Sequence, residues 1–208
     1  MIMLVLCSLL LATVPVFSDQ IFTDSLGREI RVVPVKSPDE IDLIQGKDVL
    51  VRGFMTVYEE VPLFELNPEF KSTGDVRRFY ENYFDSEWEH YKHGELIWVQ
   101  AFEGERLLGW ATFQMEEDKE NAAYMNLLVV DPKEQGRGIG KYLTFSICSE
   151  DLYPQTKEIS VLLRKINKTG RKFYENIGFT DFDYDRQDNF VDTSLLTGLR
   201  WTKNQLPL

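Results

Sequence analysis

The chain has 208 residues, 43% of them hydrophobic and 13% aromatic. That is enough apolar material for one domain with a sizeable core, and it is not the composition of a disordered chain. The formal net charge of −11 argues against a nucleic-acid binder, which needs a basic face to neutralise phosphates. Two cysteines, Cys7 and Cys148, are too few for a disulfide framework.

From the N-terminus, Ile2 to Val16 is almost wholly apolar, and no charged side chain occurs up to Ser18. The length suits the apolar region of a secretory signal and is short for a membrane span. Val16-Phe17-Ser18 offers small residues for cleavage after Ser18, but no Lys or Arg precedes the apolar run. Residues 1–18 therefore read as a signal peptide, an uncleaved anchor, or an extra packed segment at an over-long start. If the segment is cleaved, no stable membrane insertion is expected. Residues 19–27 read as a linker, and 28–208 as the folded domain.

Arg28 to Lys36 has strand composition, with Pro34 suited to an edge. Ser37-Pro38-Asp39-Glu40 reads as a helix start. Asp48 to Pro68 reads as a short helix and a loop. Val76, Phe79, Tyr80, Tyr83, Phe84, Trp88 and Tyr91 recur at three- and four-residue spacing, which predicts an amphipathic helix closed at Gly94. His90 and His93 fall at its end in His-x-x-His spacing, within a stretch that reads as solvated helix; no metal is expected.

Two strands, Glu95–Phe102 and Arg106–Met115, are joined across Glu103-Gly104-Glu105 as a hairpin. Ala122 to Val130 is a further strand, apolar enough for burial on both faces. A helix follows from Gly138, then a strand at Glu158–Ile166. A helix at about Lys168–Asn176 stops at Gly178, and strands close the chain. This order predicts an α/β fold: one domain with a mixed sheet of about six or seven strands and helices on both faces.

The stretch Val129 to Leu143 carries Gly136, Gly138 and Gly140 between a strand and a helix. A helix start presents free amide N–H groups and partial positive charge, and glycine lets backbone approach a ligand. With Arg137 and Lys141 adding cations, the turn reads as an anion or phosphate site. It is not a P-loop, because Gln135 and Tyr142 stand where Gly and Ser or Thr belong. Nor is it a dinucleotide fingerprint, since Lys141 occupies the third glycine position.

Val130-Asp131-Pro132 followed by Gln135-Gly136-Arg137-Gly138-Ile139-Gly140 resembles motif A of the GNAT superfamily of acyl-CoA-dependent N-acetyltransferases. Asn167 to Phe179, with Tyr174 seven residues after Asn167 and then Gly178-Phe179, resembles its motif B. The resemblance spans roughly 28–202, its specificity concentrated between Leu127 and Phe179. It implies acetyl-CoA as co-substrate and a splayed strand pair, Ala122–Val130 and Glu158–Ile166, admitting the cofactor. It further implies that backbone groups of Leu128, Val129 and Val130 pair with the pantetheine arm. Amides from Gln135 through Gly136, Arg137, Gly138, Ile139 and Gly140 to Lys141 would cradle the pyrophosphate. Asn167 would hydrogen-bond the cofactor, and Tyr174 would face the thiol sulfur.

The family reaction is direct attack of an amine on the thioester. It implies an oxyanion-binding N–H near Val129 and Tyr174 as general acid. Many relatives place a Glu on one of the splayed strands as base; Ala122–Val130 has none, and Leu162 and Leu163 stand where a carboxylate on the other would point inward. Tyr124 or Asn126 through a water, or Glu59, Glu60 or Asp183, are the alternatives, and positioning alone supplies much of the rate. The acid- and aromatic-rich stretches Tyr58–Phe70 and Asp181–Asp192 fit a cationic amine acceptor. A CoA-binding sensor or scaffold without turnover is the second reading. The export-like N-terminus favours it, because acetyl-CoA is a cytosolic metabolite.

Overall fold

The computed structural model describes residues 19–24, 26–183 and 195–203. In chain order these form β1 (Gln20–Thr23), β2 (Glu29–Pro34), α1 (Leu43–Val57), α2 (Leu63–Leu66), α3 (Thr73–Lys92), β3 (Ile97–Glu103), β4 (Arg106–Met115) and β5 (Ala122–Val130). There follow α4 (Ile139–Phe145), β6 (Glu158–Arg164), α5 (Lys168–Asn176), β7 (Thr180–Phe182) and β8 (Leu196–Thr202). One sheet contains all the strands in the order β1-β2-β3-β4-β5-β6-β8-β7. Its β5–β6 pair is parallel, and the others are antiparallel.

Two apolar cores flank the sheet. On one face, Ile139, Leu143 and Ile147 from α4 and the turn after it, with Tyr174 from α5, pack on Val99, Phe113, Met125 and Ile159. On the other, Val49 and Leu50 of α1 and Val76, Tyr80 and Phe84 of α3 pack on Trp98, Trp110, Leu127 and Val129. Phe84 meets Trp98 and Trp110 edge-on, and the two indoles stack at 4.5 Å. The mixed α/β architecture with helices on both faces is the expected one.

The sheet has eight strands rather than six or seven, because residues 19–27 are not a linker. Gln20–Thr23 pairs with Val32–Glu29 and buries Phe22. A strand of four residues with one buried side chain leaves too little alternation to read from sequence. The helix expected to start at Ser37 is only a 3₁₀ turn, Pro38–Glu40. α1 starts after Asp42, whose carboxylate accepts the Ile44 and Gln45 N–H groups. It then runs fifteen residues through a stretch expected as a short helix and loop. α3 is as predicted, with a Ser72–Asp75 capping box and Gly94 at φ +76 after its end. Residues 1–18, with Cys7 and the export reading, lie outside the described residues. Among the described residues no helix is long and apolar enough to cross a membrane.

The seating of α1 against α3 and the sheet depends on two glycines seven residues apart. A Cβ on Gly46 would lie 2.6 Å from the Phe84 ring, and one on Gly53 2.5 Å from Val129 Cγ2. Alanine is the better helix former by about 1 kcal/mol, but overpacking costs about 1–3 kcal/mol. Gly53→Ala is therefore expected to lower Tm by a few degrees in a thermal melt, against the direction of helix propensity.

Candidate active site

The parallel β5–β6 pair holds register for only three residues, Ala122↔Glu158, Ala123↔Ile159 and Tyr124↔Ser160. Beyond them β5 stays on β4 and β6 stays on β8, so a cleft opens between the two strands. The cause lies in β5. Leu127 pairs with Thr112 but Met125 with Phe113, leaving Asn126 as the extra residue of a β-bulge. A bulge bends its strand and raises the local twist. Ala123 and Met125 face the α4/α5 core, whereas Leu127 and Val129 face the α1/α3 core, so the inserted residue also reverses the inside–outside alternation.

Past the bulge, the Asp131 N–H donates to Leu108 O at 2.8 Å. Strand alternation then turns the Val129 backbone groups to β4 as well, opposite Trp110. Those of Leu128 and Val130 face the cleft. Val129 thus spends its own N–H on the sheet, and near it the N–H groups that face the cleft are those of Leu128 and Val130.

At the end of β5, Gly136 and Gly138 have φ of +80 and +85, values that need glycine. α4 begins at Ile139, and its first bond runs from the Tyr142 N–H to Gly138 O. The amides of Ile139, Gly140 and Lys141 therefore precede the helical ladder. Gly140 lets the turn seat on α5, because its Cβ would lie 3.1 Å from Phe173 and 3.8 Å from Val130 Cγ2. Ile139 is buried, while Gln135 and Lys141 are exposed.

Arg137 differs from expectation. Its guanidinium is buried, not presented to an anion. It donates to Asp24 at 2.6 Å, to Glu103 at 2.8 Å and to Glu134. Arg106 donates to the same Glu103 and Glu134, at 2.6 Å each, and Arg28 to Asp24 at 3.1 Å. Three arginines and three carboxylates thus tie the glycine turn to the β1–β2 turn and the β3–β4 hairpin. Burial opposes ionisation of Asp24, but hydrogen bonds from the Arg28 N–H, the Arg137 side chain and the Leu26 N–H outweigh it and bring its pKa down to about 2. Only the backbone of Arg137 remains for a ligand.

On the other side of the cleft, Asn167 caps α5, its Oδ1 accepting the Gly170 N–H at 2.7 Å. Its side chain also hydrogen-bonds Tyr58, at the end of α1. Tyr174 is buried in α5 between Phe173 and Phe179. Burial and then the neighbouring Tyr124 phenol raise its pKa, keeping it protonated. Tyr124 is the last β5 residue in register with β6, so the two phenols lie within electrostatic reach of each other where the strands part.

Sequence reading missed Glu87. It lies on the buried face of α3 and is 5% exposed. Its carboxylate accepts the Thr112 hydroxyl at 2.5 Å and the Tyr83 hydroxyl. Burial raises its pKa, against the lowering pull of Thr112, His90 and Tyr83. Tyr83 in turn lies within electrostatic reach of Tyr124. One signal was available: Glu87 falls three residues after Phe84 and seven after Tyr80, in register with the aromatic stripe. Of the other base candidates, Glu59, Glu60 and Asp183 are exposed, whereas Asn126 Oδ1 is buried without a partner among the described residues. His90 pairs with Glu95 and His93 with Glu89 O on the exposed end of α3. Among the described residues no cluster of three or more His, Cys, Asp or Glu could hold a metal ion. Burial pushes the Cys148 thiol up to about 11, the opposite of what a nucleophilic cysteine needs.

The model of the acetyltransferase (GNAT) family matches residues 61–179. No curated protein sequence matches the chain. Among solved structures, the fold is similar to the PaiA N-acetyltransferase of Thermoplasma acidophilum in complex with coenzyme A, at TM-score 0.63 and 16% identity over 83% of this chain and 98% of that one. It is also similar to an acetyltransferase from Streptococcus agalactiae (TM-score 0.57, 16% identity, 83% and 98% covered). A third is the ribosomal-protein-S18-alanine N-acetyltransferase of Escherichia coli (TM-score 0.53, 14% identity, 83% and 93% covered). At these identities the likeness is one of fold.

Because Asp24 titrates near 2 in the folded chain against 3.8 ordinarily, the unfolded chain binds more protons between those values. Its contribution to stability is present above about pH 4 and lost as pH falls toward 2. Arg137→Ala is expected to lower Tm by several degrees at pH 7, since it leaves buried carboxylates short of a partner. The difference from wild type should shrink below pH 3 in a series of melts. A constant difference across that range would contradict the ion-pair account.

Proposed function

The chain belongs to the acetyltransferase (GNAT) family, and from that premise we propose that it transfers the acetyl group of acetyl-CoA to a primary amine by direct attack in a ternary complex. The observation that carries this is the parting of β5 and β6 after Tyr124↔Ser160, beside a turn with two left-handed glycines. A cleft edged on one side by strand groups that pair with no neighbouring strand, and by helix-start amides at its end, suits a ligand with an extended amide-bearing arm and a diphosphate. The neighbour from Thermoplasma acidophilum was solved with coenzyme A, which supports the cofactor class.

In this proposal the backbone groups of Leu128 and Val130 pair with the pantetheine arm, and one of their N–H groups polarises the thioester carbonyl. Amides from Gly136 to Lys141 hold the diphosphate, and Asn167 contacts the cofactor through its Nδ2 once Tyr58 releases it. The amine attacks the carbonyl carbon, a C–N bond forms and the C–S bond breaks. Tyr174 gives its proton to the departing thiolate. The amine's proton leaves toward Tyr124 and Tyr83 and is taken up by Glu87, the buried carboxylate on the α3 side. Glu87 supplies the base in place of the strand carboxylate that many relatives use.

Calorimetric titration of the full chain with acetyl-CoA is expected to give micromolar binding. Gly138→Glu, which forces a side chain and a negative charge into the left-handed turn, should abolish it. Tyr174→Phe should keep the acetyl-CoA affinity and lose about 10²-fold in kcat. Unchanged affinity with no turnover of any amine by wild type would favour the second reading, a CoA-binding module. Glu87→Gln is expected to lower kcat by about 10²-fold and to remove the acidic limb of the pH–rate profile. That limb should lie above the ordinary carboxylate range, because burial raises the Glu87 pKa. A limb unchanged in the variant would exclude Glu87 as the proton acceptor.

A further inference from the structure

Arg164, the last residue of β6, is half-buried and has no carboxylate within salt-bridge distance among the described residues. Its neighbours in kind do: Arg28, Arg31, Arg52, Arg106, Arg137, Arg171 and Arg200 all pair with acids. A half-buried arginine that meets no acid among the described residues is placed for something else.

Its direction follows from the strand. Ile159, Val161 and Leu163 belong to the α4/α5 core, so the even-numbered residues of β6, Ser160, Leu162 and Arg164, face the α1/α3 side. There Arg164 lies within electrostatic reach of the Tyr58 and Tyr80 phenols, both of which are buried. Burial raises the pKa of both phenols, so they stay neutral and cannot balance the guanidinium. Tyr58 also hydrogen-bonds Asn167, which joins α1, β6 and α5 at the cleft mouth. The glycine turn, by contrast, leads into α4, whose Ile139 and Leu143 pack on the opposite face of the sheet. An anion held by Arg164 is therefore not the diphosphate held by that turn. It lies on the face that carries Glu87, Tyr83 and Tyr124, where the amine proton leaves.

We propose that Arg164, with Tyr58 and Tyr80 as neutral hydrogen-bonding companions, binds a carboxylate on the acceptor, so that the acceptor is an ω-amino carboxylate and not the simple cationic amine expected from the acidic composition. The spacing sets the class. Tyr124 pairs with Ser160, and four residues of strand separate Ser160 from Arg164, about 13 Å. After the reach of the arginine side chain is subtracted, the amine and the carboxylate are separated by a spacer of several atoms. A free α-amino acid, with its two groups on one carbon, does not span it. A guanidinium fork matches a carboxylate in two parallel hydrogen bonds.

This rests on the acceptor side assigned above, so the test reads binding separately from turnover. The full chain saturated with CoA is titrated with 6-aminohexanoate and with n-hexylamine, which differs in lacking the carboxylate. Wild type is expected to bind 6-aminohexanoate about tenfold more tightly. Arg164→Ala should bring the ratio close to one, Arg164→Lys should keep part of it, and acetyl-CoA affinity should stay within about twofold of wild type in both. Equal binding of the two probes by wild type overturns the proposal. So does a loss of acetyl-CoA affinity in Arg164→Ala with the probe ratio unchanged, which would assign the guanidinium to a cofactor phosphate. If wild type does not bind acetyl-CoA, the acetyltransferase proposal fails by itself. The same two probes titrated into the ligand-free chain still decide whether Arg164 selects a carboxylate.

Discussion

The site depends on a single inserted residue. Asn126 bulges out of the β4–β5 ladder, and from that point β5 can no longer follow β6. In an unbroken parallel pair the N–H and C=O groups of Leu128 and Val130 would be consumed by the neighbouring strand. The bulge leaves them at an edge that is nonetheless deep inside the sheet, with β4 behind them and β6 held away by β8. Among the described residues Val130 O accepts only the exposed Gln135 side chain, at 3.5 Å, and a ligand that presents amides along its length can satisfy the strand groups that face the cleft. The same bend aims the end of β5 at the glycine turn, so the strand edge and the helix-start amides address one molecule.

Rigidity at the turn comes from electrostatics buried behind it. Arg137 projects away from any ligand and into Asp24, Glu103 and Glu134, while Arg106 and Arg28 complete the charge balance. Buried ion pairs of this kind add little net stability over an apolar substitute, but they are unforgiving of rearrangement once formed. Their effect here is positional. Elements far apart in sequence, β1, the β3–β4 hairpin and the start of α4, are held in one arrangement, and the amides of the turn inherit it. The two faces of the sheet then divide the labour. The α4/α5 side carries the turn and Tyr174, and the α1/α3 side carries Glu87, Tyr83, Tyr58, Tyr80 and Arg164.

Much of this was legible in the chain itself. The aromatic period of α3, the apolar run of β5 and the glycine pattern after Val130 are local signals, and each element stands where its pattern puts it. The strand of the 19–27 stretch and the length of α1 were not legible, for physical reasons. β1 is stabilised by pairing with β2 and by one buried phenylalanine, and neither leaves a periodic trace. α1 carries Gly46 and Gly53, which read as breaks locally but serve close packing on Phe84 and Val129.

The sequence by itself determined the class of fold and the strand–turn–helix that presents backbone amides, because both rest on short-range chemistry: side-chain period, glycine conformation and helix starts; the candidate acid, Tyr174, came from the resemblance of its motif. Only the tertiary structure decided which groups face the cleft. It turned the Val129 backbone groups toward β4 and those of Leu128 and Val130 toward the cleft, withdrew the Arg137 guanidinium into a carboxylate cluster, set Glu87 of α3 against Thr112 of β4, and left Arg164 without an acid among the described residues. Those outcomes follow from strand register and from contacts between residues tens of positions apart. A strand's hydrogen-bonding side changes with a single inserted residue, and a charge's role depends on which opposite charges the fold brings within reach.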